Sequence, residues 1–139
     1  MSAAEKPRNS AAGEPRVLFH ASDAAWSKGG GENGDCYITD GPWMHRCPNG
    51  RLLMLWSTHG PEGYAQGAAF SDNDDISGNW TPSAEPIFGK DGGHGMIFTD
   101  ADGQSYLCLH APNSPTPKRR EMPILIPVHE EGDTLACDF

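Results

Sequence analysis

From Cys36 onward, short apolar runs alternate with clusters of glycine, proline, asparagine and aspartate. "WMHRC" and "RLLMLWS" flank the tight turn "PNG" and predict a hairpin. "YAQGAAFS" predicts a third strand, with small residues where neighbours approach closely. "NWTPSAEPIF" predicts a fourth that its prolines confine to an edge. The scheme then restarts. "GMIFTD", the turn "ADG" and "QSYLCLHA" predict a second hairpin. "EMPILIPVHE", a turn at "EGD" and "TLACDF" complete the set. Upstream, "VLFHASDAAWSK" opens the ordered part of the chain, and "GGGENGD" reads as a flexible loop without the Lys-Ser/Thr ending of a phosphate-binding loop.

Aligning the turn glycines Gly50 and Gly103 gives a shift of 53 residues. On that shift "GPWMHRCPNGRLLMLWS" lies over "HGMIFTDADGQSYLCLH". A period of about 50 with four short strands per unit has the size of a propeller blade. Two unrelated hairpins in a sandwich would give the same pattern. The expected fold class is all-β: a partial five-bladed β-propeller of about two blades over residues 17–139. Residues 1–16, polar and small, are expected as a disordered lead-in.

Composition narrows the function classes. The chain has 139 residues and a net charge of −9, which disfavours nucleic acid and anionic membrane as partners. The one basic cluster, Lys118 to Arg120, reads as a solvated loop. No stretch approaches the ~18 apolar residues of a spanning helix. The start has no apolar segment of a secretory signal, so the default location is cytoplasmic. The four cysteines form no Cys-x-x-Cys pair. Cys47 and Cys108, among apolar neighbours, are expected as buried thiols. "DNDD" at 72–75 lacks the glycine and closing glutamate of a calcium loop and reads as a turn.

Two polar residues stand where successive units begin. On the 53-residue shift Asp40 lies over Gly93 and Gly41 over His94. If the units are blades, both enter innermost strands and meet at one axial cavity. Read singly, each is also an ordinary turn residue, His94 satisfied by backbone groups and Asp40 preceding Gly-Pro. Trp56, inside "LLMLWS", reads as core. Trp43 directly follows Gly-Pro, close to Asp40.

"LFHASDAAWS", "YITDGPWMHRCPNGRLLMLWSTHGPEGYAQGAAFSDNDDISGNW" and "DGGHGMIFTDADGQSYLCLHAPNSPTP" together resemble the C-terminal part of glycoside hydrolase family 43. That family contains arabinofuranosidases, arabinanases and xylosidases on a five-bladed propeller. The resemblance implies inverting hydrolysis of O-glycosidic bonds in arabinan- or xylan-type plant cell-wall oligo- and polysaccharides. It implies Asp40 as general acid, in the place of the carboxylate before Gly-Pro, and His94 and Trp43 as substrate-binding residues. It also implies His94 as a metal ligand near the axis, with Ca2+ the expected ion. The better-known members carry Glu before Gly-Pro; Asp40 is one methylene shorter. Glu62 has no motif support as an acid, and Asp23 and Asp35 match no base motif. The family's general base lies in earlier blades, so half an active site is expected here. The alternative is a non-catalytic carbohydrate-binding or pseudoenzyme fragment. Incomplete closure further implies self-association through exposed blade edges, with "LLMLW" and "PILIPV" showing apolar surface.

Overall fold

The computed structural model describes residues 13–132 and 134–138. Most of the lead-in expected over 1–16 lies outside the described residues. Within 13–16, the Arg16 guanidinium donates to the carbonyls of Ser77, at 2.9 Å, and Gly78. A single 3-10 turn, Ala21–Asp23, follows.

Eight strands then form two antiparallel four-stranded sheets, each in sequence order. The first blade is β1 (Asp40–Arg46), β2 (Leu52–Gly60), β3 (Gly63–Ser71) and β4 (Trp80–Pro82). The second is β5 (Gly93–Thr99), β6 (Ser105–Ala111), β7 (Met122–Glu131) and β8 (Thr134–Cys137). β1 and β2 begin and end earlier or later than the apolar runs suggest. β1 takes in Asp40 to Pro42, and β2 continues past Ser57 to Gly60. The proline-bearing fourth strand is an edge, as expected, but only three residues long.

The 53-residue repeat holds at the level of hydrogen-bond register. Asp40 pairs with Ser57 and Gly93 with His110; Trp43 pairs with Leu55 and Met96 with Cys108; Arg46 pairs with Leu52 and Thr99 with Ser105. Each hairpin carries its irregularity at the same place, between Asp40 and Trp43 and between Gly93 and Met96. These are equivalent units rather than two unrelated hairpins. The units diverge at the next connection. β2 reaches β3 through a two-residue turn, whereas β6 reaches β7 through a ten-residue loop, 112–121.

Alternation along the strands sends side chains to two faces. Leu53, Leu55 and Ala68 of the first blade meet Ile97, Leu107, Leu109, Ile126 and Val128 of the second in one core. The other face of the first blade, with Leu52, Met54, Trp56, Ala65 and Ala69, packs on Ala21, Ala24 and Trp26. Trp26 lies 5.4 Å from Trp56 between ring centroids, and its Nε1 donates to the Ser83 carbonyl at 3.1 Å. A Cβ at Gly67 would sit 2.5 Å from Trp26 Cζ2, so this close approach requires glycine.

This packing corrects two expectations. "LLMLW" exposes no apolar surface: Leu52 through Trp56 are all buried, because residues 21–26 cover one face and the second blade the other. Cys108 is half-buried rather than buried, since it faces outward from the second blade, while Cys47 is buried; all four cysteines are free thiols. "PILIPV" divides between the faces, with Ile126 and Val128 in the core and Leu125 exposed.

Candidate active site

In an up-and-down meander the start of the first strand, the end of the second and the start of the third share one end of the blade. Asp40, Ser57 and Tyr64 therefore come together, and His94 joins them from the start of β5. Gly41 takes a left-handed φ of +53°, and its equivalent His94 takes +57°. That region is easy for glycine and uncommon for any other residue. A Cβ at Gly41 would lie 2.9 Å from His94 Cδ2, so Gly41 lies in contact with the imidazole. The starts of β1 and β5 are therefore brought together, with Gly41, the neighbour of Asp40, against His94.

A buried polar network holds His94 in its strained conformation. The His94 backbone N–H donates to Ser57 Oγ at 2.8 Å, and the Gly95 N–H donates to Gln66 Oε1 at 2.6 Å. Ser57 Oγ donates to Gln66 Oε1 at 3.2 Å, and Gln66 Nε2 donates to the Trp56 carbonyl at 2.9 Å. Ser57 and Gln66 are fully buried. Each polar atom is paired, which is the condition for such groups to be stable in a core. Non-glycine residues in this region persist when surrounding bonds over-determine them. The His94 imidazole itself is exposed and has no hydrogen-bond partner among the described residues, so it is not a turn histidine satisfied by backbone.

Asp40 is half-buried. Its Oδ2 accepts from the Tyr64 hydroxyl at 3.0 Å. Burial pushes the Tyr64 phenol up to about 12, and the hydrogen bond to Asp40 and its charge push the same way against the Ser57 hydroxyl. Tyr64 therefore stays a proton donor to Asp40 across the neutral range. Its ring is flanked edge-on by His59 and His110, each 5.7 Å away between centroids. His110 Nδ1 pairs with the Glu121 carboxylate. Asp91, itself at φ +57°, pins the start of β3 to loop 112–121. Its Oδ1 accepts from the Tyr64 N–H at 3.2 Å, its Oδ2 from the Ser114 N–H at 3.0 Å, and its carbonyl from the Asn113 N–H at 2.7 Å.

Trp43 lies past the bulge on β1, 41 % exposed. Its indole has no ring partner among the described residues. Glu62 sits exposed in the β2–β3 turn, and Asp23 accepts from the His20 N–H at 2.8 Å within the 3-10 turn. Ser57, Tyr64, Gln66 and Asp91 were not singled out by their residue types; "YAQG" reads as packing. The usable signal was topological, since a two-residue turn after β2 must return Tyr64 to the end where Asp40 lies.

Calcium takes six to eight oxygen ligands. Among the described residues no group of three or more His, Cys, Asp or Glu side chains is placed to hold a metal. His94 offers one imidazole nitrogen, and the side chains of the described residues alone do not form a calcium cage.

No protein-family model matches the sequence, and no curated protein matches it. Solved structures do. An endo-arabinase from Bacteroides thetaiotaomicron VPI-5482 is 35 % identical with a TM-score of 0.75, over 86 % of this chain and 42 % of that one. A thermostable family-43 glycoside hydrolase is 20 % identical with a TM-score of 0.62, over 78 % of this chain and 38 % of that one. The chain has a family-43 glycoside hydrolase-like fold. Its two sheets are partial propeller blades. They span less than half the length of either neighbour.

Proposed function

We propose that this chain contributes the general acid of an inverting glycoside hydrolase acting on arabinan. Asp40 is that acid. The reading is carried by one observation: Gly41, next to Asp40 in the Asp-Gly-Pro motif, lies against the His94 imidazole at the starts of two consecutive blades, and Asp40 Oδ2 is bound by Tyr64 at 3.0 Å. The likeness to an endo-arabinase, at 35 % identity over most of the chain, supports the choice of substrate.

Inversion needs one carboxylic acid to protonate the leaving oxygen and one carboxylate to activate water, ~6.5–9.5 Å apart. Tyr64 fixes Oδ2, so Oδ1 carries the transferred proton. Asp91 is unsuited to be the base, because Tyr64 and Ser114 occupy its oxygens and it is buried. The reading requires a water-activating carboxylate from outside the described residues. His94 and Trp43 line the sugar site, the exposed indole offering a face for a pyranose or furanose ring. His94 is also proposed as one ligand of a calcium ion whose other donors come from outside the described residues or from water.

Reducing-end release from linear arabinan, measured with this chain together with the propeller part that supplies the water-activating carboxylate, tests this. Asp40→Asn should lower the rate by about 10²-fold or more, in the range of general-acid contributions, while arabinan affinity changes little. Turnover untouched by Asp40→Asn removes Asp40 from the mechanism. Arabinan binding without turnover in the wild type favours the second reading, a non-catalytic carbohydrate-binding protein. That reading is favoured by the engagement of both Asp91 oxygens, which leaves it unsuited to activate water beside Asp40.

A further inference from the structure

We propose that loop 112–121 is an anion-reading rim of the carbohydrate site, which recognises carboxylates on a uronate-bearing glycan through Lys118, Arg119 and Arg120. The inference rests on the carbohydrate reading of the Asp40 site and specifies its substrate class.

Position comes first. The loop joins the end of β6 to the start of β7, so it lies at the same end of the blades as Asp40 and His94. The corresponding connection in the first blade is only two residues, which makes this loop the principal addition that the second blade brings to that end. Its base is not free. Asp91 holds Asn113 and Ser114 and, through the same side chain, the backbone of Tyr64, whose hydroxyl holds Asp40. Its tip is also shaped. Thr116 and Arg119 exchange backbone hydrogen bonds of 2.8 and 3.0 Å, so Pro117 and Lys118 form a tight turn.

Charge comes second. Three of the ten lysines and arginines occupy these consecutive positions in a chain of net charge −9. Other arginines are committed to the fold. Arg16 binds the carbonyls of Ser77 and Gly78, Arg46 those of Gly50 and Asp74, and Arg51 the Asp74 carboxylate at 2.8 Å. The side chains of Lys118, Arg119 and Arg120 are exposed and have no hydrogen-bond or ion-pair partner among the described residues. The adjacent carboxylate, Glu121, is drawn away to His110. The net charge repels a polyanion at long range, but screening over ~8 Å at physiological salt leaves the local patch dominant at contact. Two guanidinium forks fit carboxylates in a bidentate manner that a diffuse positive field does not supply.

Calorimetric titration of the full chain tests this with two length-matched arabinan oligomers, one neutral and one bearing galacturonate, and with polyglutamate as a sugar-free polyanion. The wild type should bind the uronate-bearing oligomer about tenfold more tightly than the neutral one, a preference that weakens with added salt. The triple variant Lys118→Ser, Arg119→Ser, Arg120→Ser, with unchanged melting temperature, should bring the two affinities together. Equal affinities in the wild type overturn the rim and leave the arabinan reading standing. A preference that survives the triple substitution also overturns it. Polyglutamate binding as tight as the uronate oligomer overturns it in favour of an indiscriminate cationic patch. A preference lost in the triple variant, with no measurable neutral binding in the wild type, supports the rim and instead sinks the neutral-arabinan reading of the Asp40 site.

Discussion

Leu53, Leu55 and Ser57 of the first blade are fully buried beneath the second. Their equivalents 53 residues on, Tyr106, Cys108 and His110, are only half-buried, on a face where Met96, Phe98 and Leu125 are 47, 53 and 59 % exposed. The hairpins share register, bulge and turn, so local structure does not make this difference. What lies on each face does. Residues 17–28 and the second blade cover the two faces of the first, whereas Met96, Phe98 and Leu125 leave much of the second blade's other face open. A blade is thus specified locally but completed by its neighbours, as in other stacked repeats.

The largest contrast is expected in the cores. Leu107→Ala, at the interface between the blades, should cost about 2–5 kcal/mol, whereas Leu125→Ala on the open face should cost well under ~1 kcal/mol. Urea unfolding of both variants measures the gap, and similar costs would mean that the two faces are equally covered. Equivalent bulge positions should respond with opposite sign. Gly41→Ala forces a Cβ against His94 in a left-handed conformation and should destabilise by about 1–3 kcal/mol. His94→Gly removes a side chain from the same conformation and should be neutral or stabilising by up to ~1 kcal/mol.

Alkaline titration sharpens the comparison at Tyr64, which has no tyrosine equivalent in the second blade. With its phenol raised in the folded state, this group's contribution is fully present below pH 10 and is lost as pH rises through about 12. Cys47 and Cys137, raised to about 11 mainly by burial, act in the same sense between pH 9 and 11. Tyr64→Phe should therefore narrow, not abolish, the fall in melting temperature above pH 10. An unchanged alkaline profile in Tyr64→Phe would show that the Asp40–Tyr64 pair carries no such linkage. The smallest effect is expected on association. Phe98→Lys with Leu125→Lys should shift any concentration-dependent assembly toward monomer in size-exclusion chromatography, with little change in melting temperature. Assembly unaffected by both lysines would locate self-association elsewhere.

The repeat was legible because turn glycines and apolar runs recur at fixed spacing, and the equivalence of the β1 and β5 starts, which carry Asp40 and His94, was legible because both begin successive units. The bulges were not, since a left-handed residue at a strand start leaves no mark in an apolar pattern. Ser57 and Gln66 look like ordinary strand residues until their register shows that they meet beneath β5. The cover formed by residues 17–28 was hidden for another reason. It depends on contacts such as Trp26 to Ser83, between segments far apart in sequence, and no local pattern encodes them.

The central claim is that consecutive blades place Asp40 and His94 at one carbohydrate site. Its most direct measurement is an NMR titration of the chain with an arabinan oligomer, following the Asp40 carboxylate and the histidine imidazoles. Resonances of Asp40 and His94 should move together and saturate at one ligand concentration, with His129, at the opposite end of the blade, unmoved. Saturating ligand that leaves Asp40 and His94 in place, or that moves His129 instead, would contradict it.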